Sequence, residues 1–201
     1  MFESCDKLSK IDSDTDGVVD LSALDISNIS DANNMFVDCI GFTKLIGPGT
    51  ESQPASFSSE GCELGRIFSN CYALEEVEFY RCDTSNVTSM NAMFAGCKNL
   101  IRINSDTDGV LDVSAFDMSS VNDARWMFCE CDSMTKLIGP GTESRTASFS
   151  PAGCRMDYFC NGCDALEEVV LSCCDTSHVT DTKSMFDACG NLSAFIYLNL
   201  M

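Results

Sequence analysis

Apolar residues recur along this chain in two rhythms that alternate with each other. In LEEVEF (74–79) apolar and acidic residues alternate, which predicts a strand with one buried face. CDTSNVTSM follows, rich in Asp, Thr, Ser and Asn, residues whose side chains hydrogen-bond their own backbone in turns. Val87, Met90 and Met93 then recur every third residue, ahead of Phe94 and Cys97. A period of three predicts a tight helical turn or 3₁₀ segment. Strand, turn and tight helical segment together occupy the 26 residues from Cys71 to Gly96.

That stretch is one copy of a repeat. The pattern M-F-x-x-C-x-x-L-x-x-(L/I/V) opens the chain at Met1, Phe2, Cys5, Leu8 and Ile11, and returns as MFVDCIGFTKL, IFSNCYALEEV, MFAGCKNLIRI, MFCECDSMTKL, FCNGCDALEEV and MFDACGNLSAF. Its cysteines are Cys5, Cys39, Cys71, Cys97, Cys131, Cys163 and Cys189, separated by 34, 32, 26, 34, 32 and 26 residues. The order of spacings repeats because a 92-residue unit is duplicated. Residues 13–104 align with 105–196 without a gap, about half of the positions being identical. The bare repeat is the 26-residue interval, and the longer ones carry insertions of eight and six residues. One such coil cannot bury its own apolar face, so neighbours must stack. The fold expected over residues 1–201 is a single leucine-rich-repeat-like solenoid of about seven coils, three to each 92-residue unit. Each coil has one short parallel strand, with turns and short helical or 3₁₀ segments on the other side.

Composition narrows the function. The 201 residues carry 31 acidic against 12 basic side chains, a net charge of −19. That field repels nucleic acid and anionic membrane surfaces and attracts cations and basic partners. No apolar run approaches the roughly 18 residues of a membrane span, so membrane insertion is not expected. MFESCDKLSK lacks a basic region followed by an apolar core and does not read as a signal peptide.

DTSNVTSMNAMFAGCKNL (83–100) and DTSHVTDTKSMFDACGNL (175–192) resemble the repeat of the BspA-type leucine-rich-repeat surface proteins, in particular the mycoplasma-lipoprotein branch with DUF285 repeats. The other copies are looser, with Ala32, Leu64 and Ala124 in place of the first methionine. The resemblance implies a solenoid at the cell surface or in the extracellular space, used for adhesion or for binding a protein or host-surface ligand. It implies no enzymatic activity.

The residues themselves suggest no catalytic group. His178, the sole histidine, takes the register of Asn86 in a repeat turn, with no second copy to support a general base. GPGTES (47–52 and 139–144) lacks the G-K-[ST] ending of a phosphate loop and reads as a turn opening the six-residue insertion. Glu75–Glu76 and Glu167–Glu168 lie on a predicted strand and point to opposite faces. The exposed sheet face, with Glu76, Glu78, Glu168 and Arg81, is the expected binding surface, together with the insertions. Chain ends in repeat phase without polar caps suggest a second role, end-to-end self-association into filaments.

Seven cysteines at one repeat position stack along a solenoid. They form either a ladder of buried free thiols or disulfides between adjacent coils. Of the other seven, Cys62, Cys154, Cys82 and Cys174 are repeat equivalents and read as packing positions. Cys160 and Cys163 form C-N-G-C without the second pair that zinc prefers.

The eight-residue insertions are acidic. DSDTDGVVD places Asp12, Asp14 and Asp16 at positions 1, 3 and 5 of an EF-hand-type loop, Gly17 at the turn, the Val18 carbonyl at 7 and Asp20 at 9. The second loop offers Asn104, Asp106, Asp108, the Val110 carbonyl and Asp112. Position 12 is Ala23 or Ala115 where the bidentate Glu belongs, with Asp25 and Asp117 two residues beyond as substitutes. Calcium gathered by these carboxylates, or an Asp-Gly turn that needs no metal, both fit.

Overall fold

A computed structural model of the chain describes residues 2–197, which form a parallel β-solenoid of about seven turns. The alternation seen at LEEVEF recurs as the strands Val18–Asp20, Lys44–Ile46, Glu76–Glu78, Arg102–Ile103, Val110–Asp112, Lys136–Ile138, Glu168–Val170 and Ala194–Ile196. These follow one another in a single sheet, every pairing parallel. Strict register stacks the middle residues Val19, Leu45, Val77, Ile103, Leu111, Leu137 and Val169, all buried, along the inside. Their flanking residues face out. Glu75 is exposed just before its strand, while Glu76 shares the outer face with Glu78, so the two adjacent glutamates do not form a carboxylate pair.

The opposite wall differs from the expected helical or 3₁₀ turns. Among the described residues there is no helix, and Val87–Ser89 is a strand paired with Cys62–Glu63. The following arc alternates its amide partners. Met90, Ala92, Phe94 and Gly96 donate to carbonyls of the next coil at 2.9, 2.7, 2.9 and 2.8 Å. Met93, Ala95 and Cys97 donate three residues back, at 3.2, 3.2 and 3.0 Å. A 3₁₀ helix would direct every amide three residues back. Here every second one binds the neighbouring coil, so the arc is a string of single turns laced across the stack.

This lacing requires left-handed backbone twice per coil. Ala92 has φ 50° and Gly96 φ 75°, and the same two positions are left-handed at Asn34 and Asp38, Arg66 and Asn70, and Trp126 and Glu130. For an L-residue other than glycine this conformation costs about 1–2 kcal/mol. Arg66 is exposed with φ 57°. Arg66→Gly is therefore expected to stabilise the protein by about 0.5 kcal/mol, the relief being partly offset by the greater freedom of glycine in the unfolded chain. A urea midpoint that rises at unchanged m-value would show it, and a lower midpoint would refute it.

The core between the two walls is an aromatic stack. Phe2, Phe36, Phe68, Phe94 and Phe128 lie ring over ring at 5.2, 5.7, 5.6 and 5.7 Å, with interplanar angles of 6–16°. The stack breaks at the sixth coil. There Cys160 occupies the phenylalanine register and Phe159 the methionine register, so Phe159 meets Phe128 edge-on at 83°.

Candidate functional site

The acidic insertions do not merely lengthen a coil. Ile103 pairs in parallel with Leu111, and Ile11 with Val19, only eight residues later in each case. Each insertion thus adds a rung to the main sheet through a tight loop that never travels round the solenoid. Its glycine is set by that stacking. The Gly17 carbonyl accepts from Thr43 N and Lys44 N at 2.9 and 3.0 Å, as the Gly109 carbonyl does from Thr135 N and Lys136 N. Gly109 has φ 81°, and a Cβ on it would lie 2.3 Å from Thr135 Oγ1.

The ten residues singled out as calcium ligands take distinct places around these loops. Asp12, Asp14, Asp16, Asp106 and Asp108 are exposed on the loop. Asp16 pairs with Lys10 at 3.2 Å, and Asp108 with Arg102, the repeat equivalent of Lys10. Val18 and Val110 are strand residues, and the Val18 carbonyl accepts the Ile11 N–H at 3.3 Å. Asp20 and Asp112 each accept the backbone N–H two residues on, from Ser22 and Ser114, at 2.8 Å. Asn104 accepts from Phe79 N at 2.7 Å and donates to the Asp112 carbonyl at 3.3 Å, tying loop to sheet. Asp25 and Asp117 likewise accept from Ser27 N and Ser119 N. Among the described residues no three His, Cys, Asp or Glu side chains converge at ligating separation.

The outer sheet face carries two runs of alternating charge, Lys44–Glu76–Arg102 and Lys136–Glu168, separated by Val110. Lys44 reaches Glu76 at 2.9 Å and also contacts Glu78, Arg102 reaches Glu76 at 3.0 Å, and Lys136 reaches Glu168 at 3.0 Å. Partial burial penalises the Lys44 ammonium, yet Glu78 and Glu76 outweigh it and hold its pKa above the ordinary value. Burial also opposes ionisation of Glu76, but Lys44 and Arg102 prevail and hold its carboxyl below the usual range. Arg81 lies beyond its strand, over the Tyr80 ring at 4.5 Å and 3.6 Å from Glu51. His178 is exposed beside Ser177.

The cysteine ladder is the most regular polar feature of the interior. Each thiol donates to the backbone carbonyl in the phenylalanine register of the preceding coil. Cys39 reaches Phe2 O at 2.9 Å, Cys71 reaches Phe36 O and Cys97 reaches Phe68 O at 3.1 Å, and Cys131 reaches Phe94 O at 3.3 Å. Cys163 and Cys189 continue it to Phe128 O and Cys160 O at 3.0 Å. Each of these carbonyls also accepts the backbone N–H three residues on, as Phe94 O does from Cys97 N at 3.0 Å, so the S–H fills its second lone pair and ties adjacent coils together. All fourteen cysteines are free, ten of them buried. Burial pushes the Cys97 thiol up to about 12 and the Cys62 thiol to about 11. Because the thiolate is the reactive form, those ten should resist a disulfide reagent at neutral pH. Only the partly exposed Cys5 and Cys173 are expected to react quickly. Cys129, which burial pushes up to about 11, and Cys189, held up by its hydrogen bond with Cys163, should be slower, and the buried ten should follow global unfolding. Prompt reaction of all fourteen in the folded protein would refute this.

Fold and interior thus define a thiol-laddered parallel β-solenoid whose polar chemistry is arrayed on its outside. A model of the family described as "Mycoplasma protein of unknown function, DUF285" matches residues 58–151, just under half of the chain. The matched segment includes DTSNVTSMNAMFAGCKNL and runs across the junction of the two 92-residue units. No curated protein and no solved structure matches the chain.

Proposed function

We propose that this chain is a non-enzymatic repeat module of the cell surface or the extracellular space that binds a protein partner or host-surface ligand and mediates adhesion. The observation that carries this reading is the outer sheet face. A parallel ladder in strict register holds two groups of charges, Lys44–Glu76–Arg102 and Lys136–Glu168, on either side of Val110, each already oriented by its own ion pairs. Side chains fixed before contact lose less freedom on binding. The similarity of the repeat to BspA-type surface proteins supports the same reading and is the source of the location. Fluorescently labelled chain should bind intact host cells saturably and be displaced by unlabelled chain. Binding no greater than that of an unrelated protein of equal net charge would sink the proposal.

Calcium stabilisation with end-to-end assembly is a second reading. Two apolar hollows favour the assembly part, one of about 370 Å³ bordered by Leu171, Met185 and Phe195, the other of about 300 Å³ bordered by Phe2, Leu21 and Leu24. Light scattering that reports a monomer at high concentration counts against it. For the metal, saturating one loop at about ten times its Kd adds about 1.4 kcal/mol, a rise in Tm of about 4 °C. A Tm that is the same in millimolar calcium and in EDTA removes calcium from the account.

A further inference from the structure

The left-handed corner five residues before each ladder cysteine projects one side chain per coil: Asn34, Arg66, Ala92, Trp126, Tyr158 and Ser184. Only the fourth and fifth are aromatic. Trp126 and Tyr158 stack at 5.6 Å with an interplanar angle of 15°. The Arg125 guanidinium lies 5.2 Å from the Trp126 ring centre, and Asp123 grips it in bidentate fashion at 2.8 and 2.6 Å. Trp126 thus has a stacked ring in Tyr158 and a guanidinium in Arg125.

The next coil does not continue the ring stack. Tyr158 N donates to Lys183 O at 2.8 Å, so the next coil lies directly against it, yet its corner residue is Ser184. Among the described residues Tyr158 has no ring partner besides Trp126 and no cation over its ring. Two rings on the surface turns do carry a guanidinium, Tyr80 from Arg81 and Trp126 from Arg125, whereas among the described residues the exposed Tyr72 has none. The coil facing the open position carries Asp181, Lys183 and Asp187. Beside it Arg155 is divided between Asp157 at 3.1 Å and Asp181 at 3.6 Å. Asp157 is 4% exposed, and its Oδ1 has no aligned hydrogen bond despite that ion contact. Carboxylates thus outnumber cations around the position, on a chain of net charge −19.

We infer that the slot over Ser184 receives an arginine side chain from a basic segment of a protein partner, its guanidinium stacked on Tyr158 and paired with Asp181 and Asp187. This rests on the interaction-module reading and gives it a partner chemistry. Arginine fits better than lysine because a planar fork both stacks on a ring and bridges carboxylates, as Arg125 does within the chain itself.

Trp126 is the only tryptophan of the chain and abuts the site, so its emission reports on it. Titration with a short alternating Arg-Gly peptide at near-physiological salt should change that emission saturably. A Lys-Gly peptide of equal length should bind about ten-fold more weakly. Ser184→Phe, which extends the ring column into the slot, should abolish peptide binding while leaving the melting curve unchanged. Tyr158→Phe should retain it. Equal affinity for both peptides, an unaffected Ser184→Phe variant, or a response to a neutral oligosaccharide with none to the arginine peptide would each overturn the proposal. Should the peptide fail while labelled chain still binds cells saturably, this site falls and the interaction reading stands. Loss of saturable cell binding by the unaltered chain overturns the reading itself.

Discussion

Raising the pH from 9 to 11 should unfold this protein cooperatively, with its buried thiols the main cause of the loss. Burial lifts the Cys82, Cys97, Cys154 and Cys174 thiols to about 12 and Cys62 to about 11, against about 8.5–9 in an unfolded chain. Below pH 8.5 these thiols are protonated in both states, and their contribution to stability is complete. Above it the unfolded chain releases protons that the folded chain retains, so stability falls with each further step until the folded values are passed. Each thiol costs about 1.4 kcal/mol per pH unit, so five together cost about 7 kcal/mol, comparable to the entire stability of an ordinary domain. Circular dichroism and thiolate absorbance should therefore change together near pH 10. Thiolate absorbance near pH 9 exceeding what the four partly exposed cysteines could give, in a chain still folded, would refute the argument, since it would place the buried thiols within reach of hydroxide.

Phe94→Ala should cost about 4–8 kcal/mol. The side chain is fully buried at mid-stack, with Phe68 and Phe128 stacked on its two faces at 5.6 and 5.7 Å. Truncating a buried phenylalanine loses about 3–5 kcal/mol, and two ring contacts add about 0.5–1.5 kcal/mol each. Because coils touch only their neighbours, a weak joint there should also uncouple the two halves and broaden the denaturant transition. Phe186→Ala is the internal comparison. Phe186 is only half-buried, and its ring meets Phe195 edge-on at 74°, so the loss should be well under half as large. Equal costs at the two positions, or a loss below about 1 kcal/mol at Phe94, would show that the aromatic stack does not hold the solenoid together.

Several features were legible because they follow from apolar spacing alone. The invariant Cys and the Phe present in all but one copy, together with the alternation at Val77 and its equivalents, require each coil to hide one face against the next. Parallel stacking in register is the arrangement that does so for every copy. The choice of free thiols was not open to reading, since adjacent rungs suit a disulfide as well as a thiol. The structure decides it through the carbonyl in the phenylalanine register, which takes the S–H of the following coil.

The period of three at Val87, Met90 and Met93 fits a helical turn and a laced arc equally, because both bury every third residue. The difference lies in where the intervening amides go, and their acceptors, Asp123, Arg125 and Met127, belong to another coil. The acidic loops were visible as insertions, but not as extra rungs. An eight-residue loop that returns beside itself depends on Thr43 and Thr135, 26 residues further along, to hold the glycine carbonyl.

The sequence by itself determined the repeat, the buried register and the acidic exterior, because each is written in the identity and spacing of side chains within one coil. Tertiary structure alone decided the thiol-to-carbonyl ladder, the added rungs and the stacking of Trp126 on Tyr158. Each of these joins groups on different coils, and only the solenoid's winding turns a separation of 26 or 32 residues into direct contact.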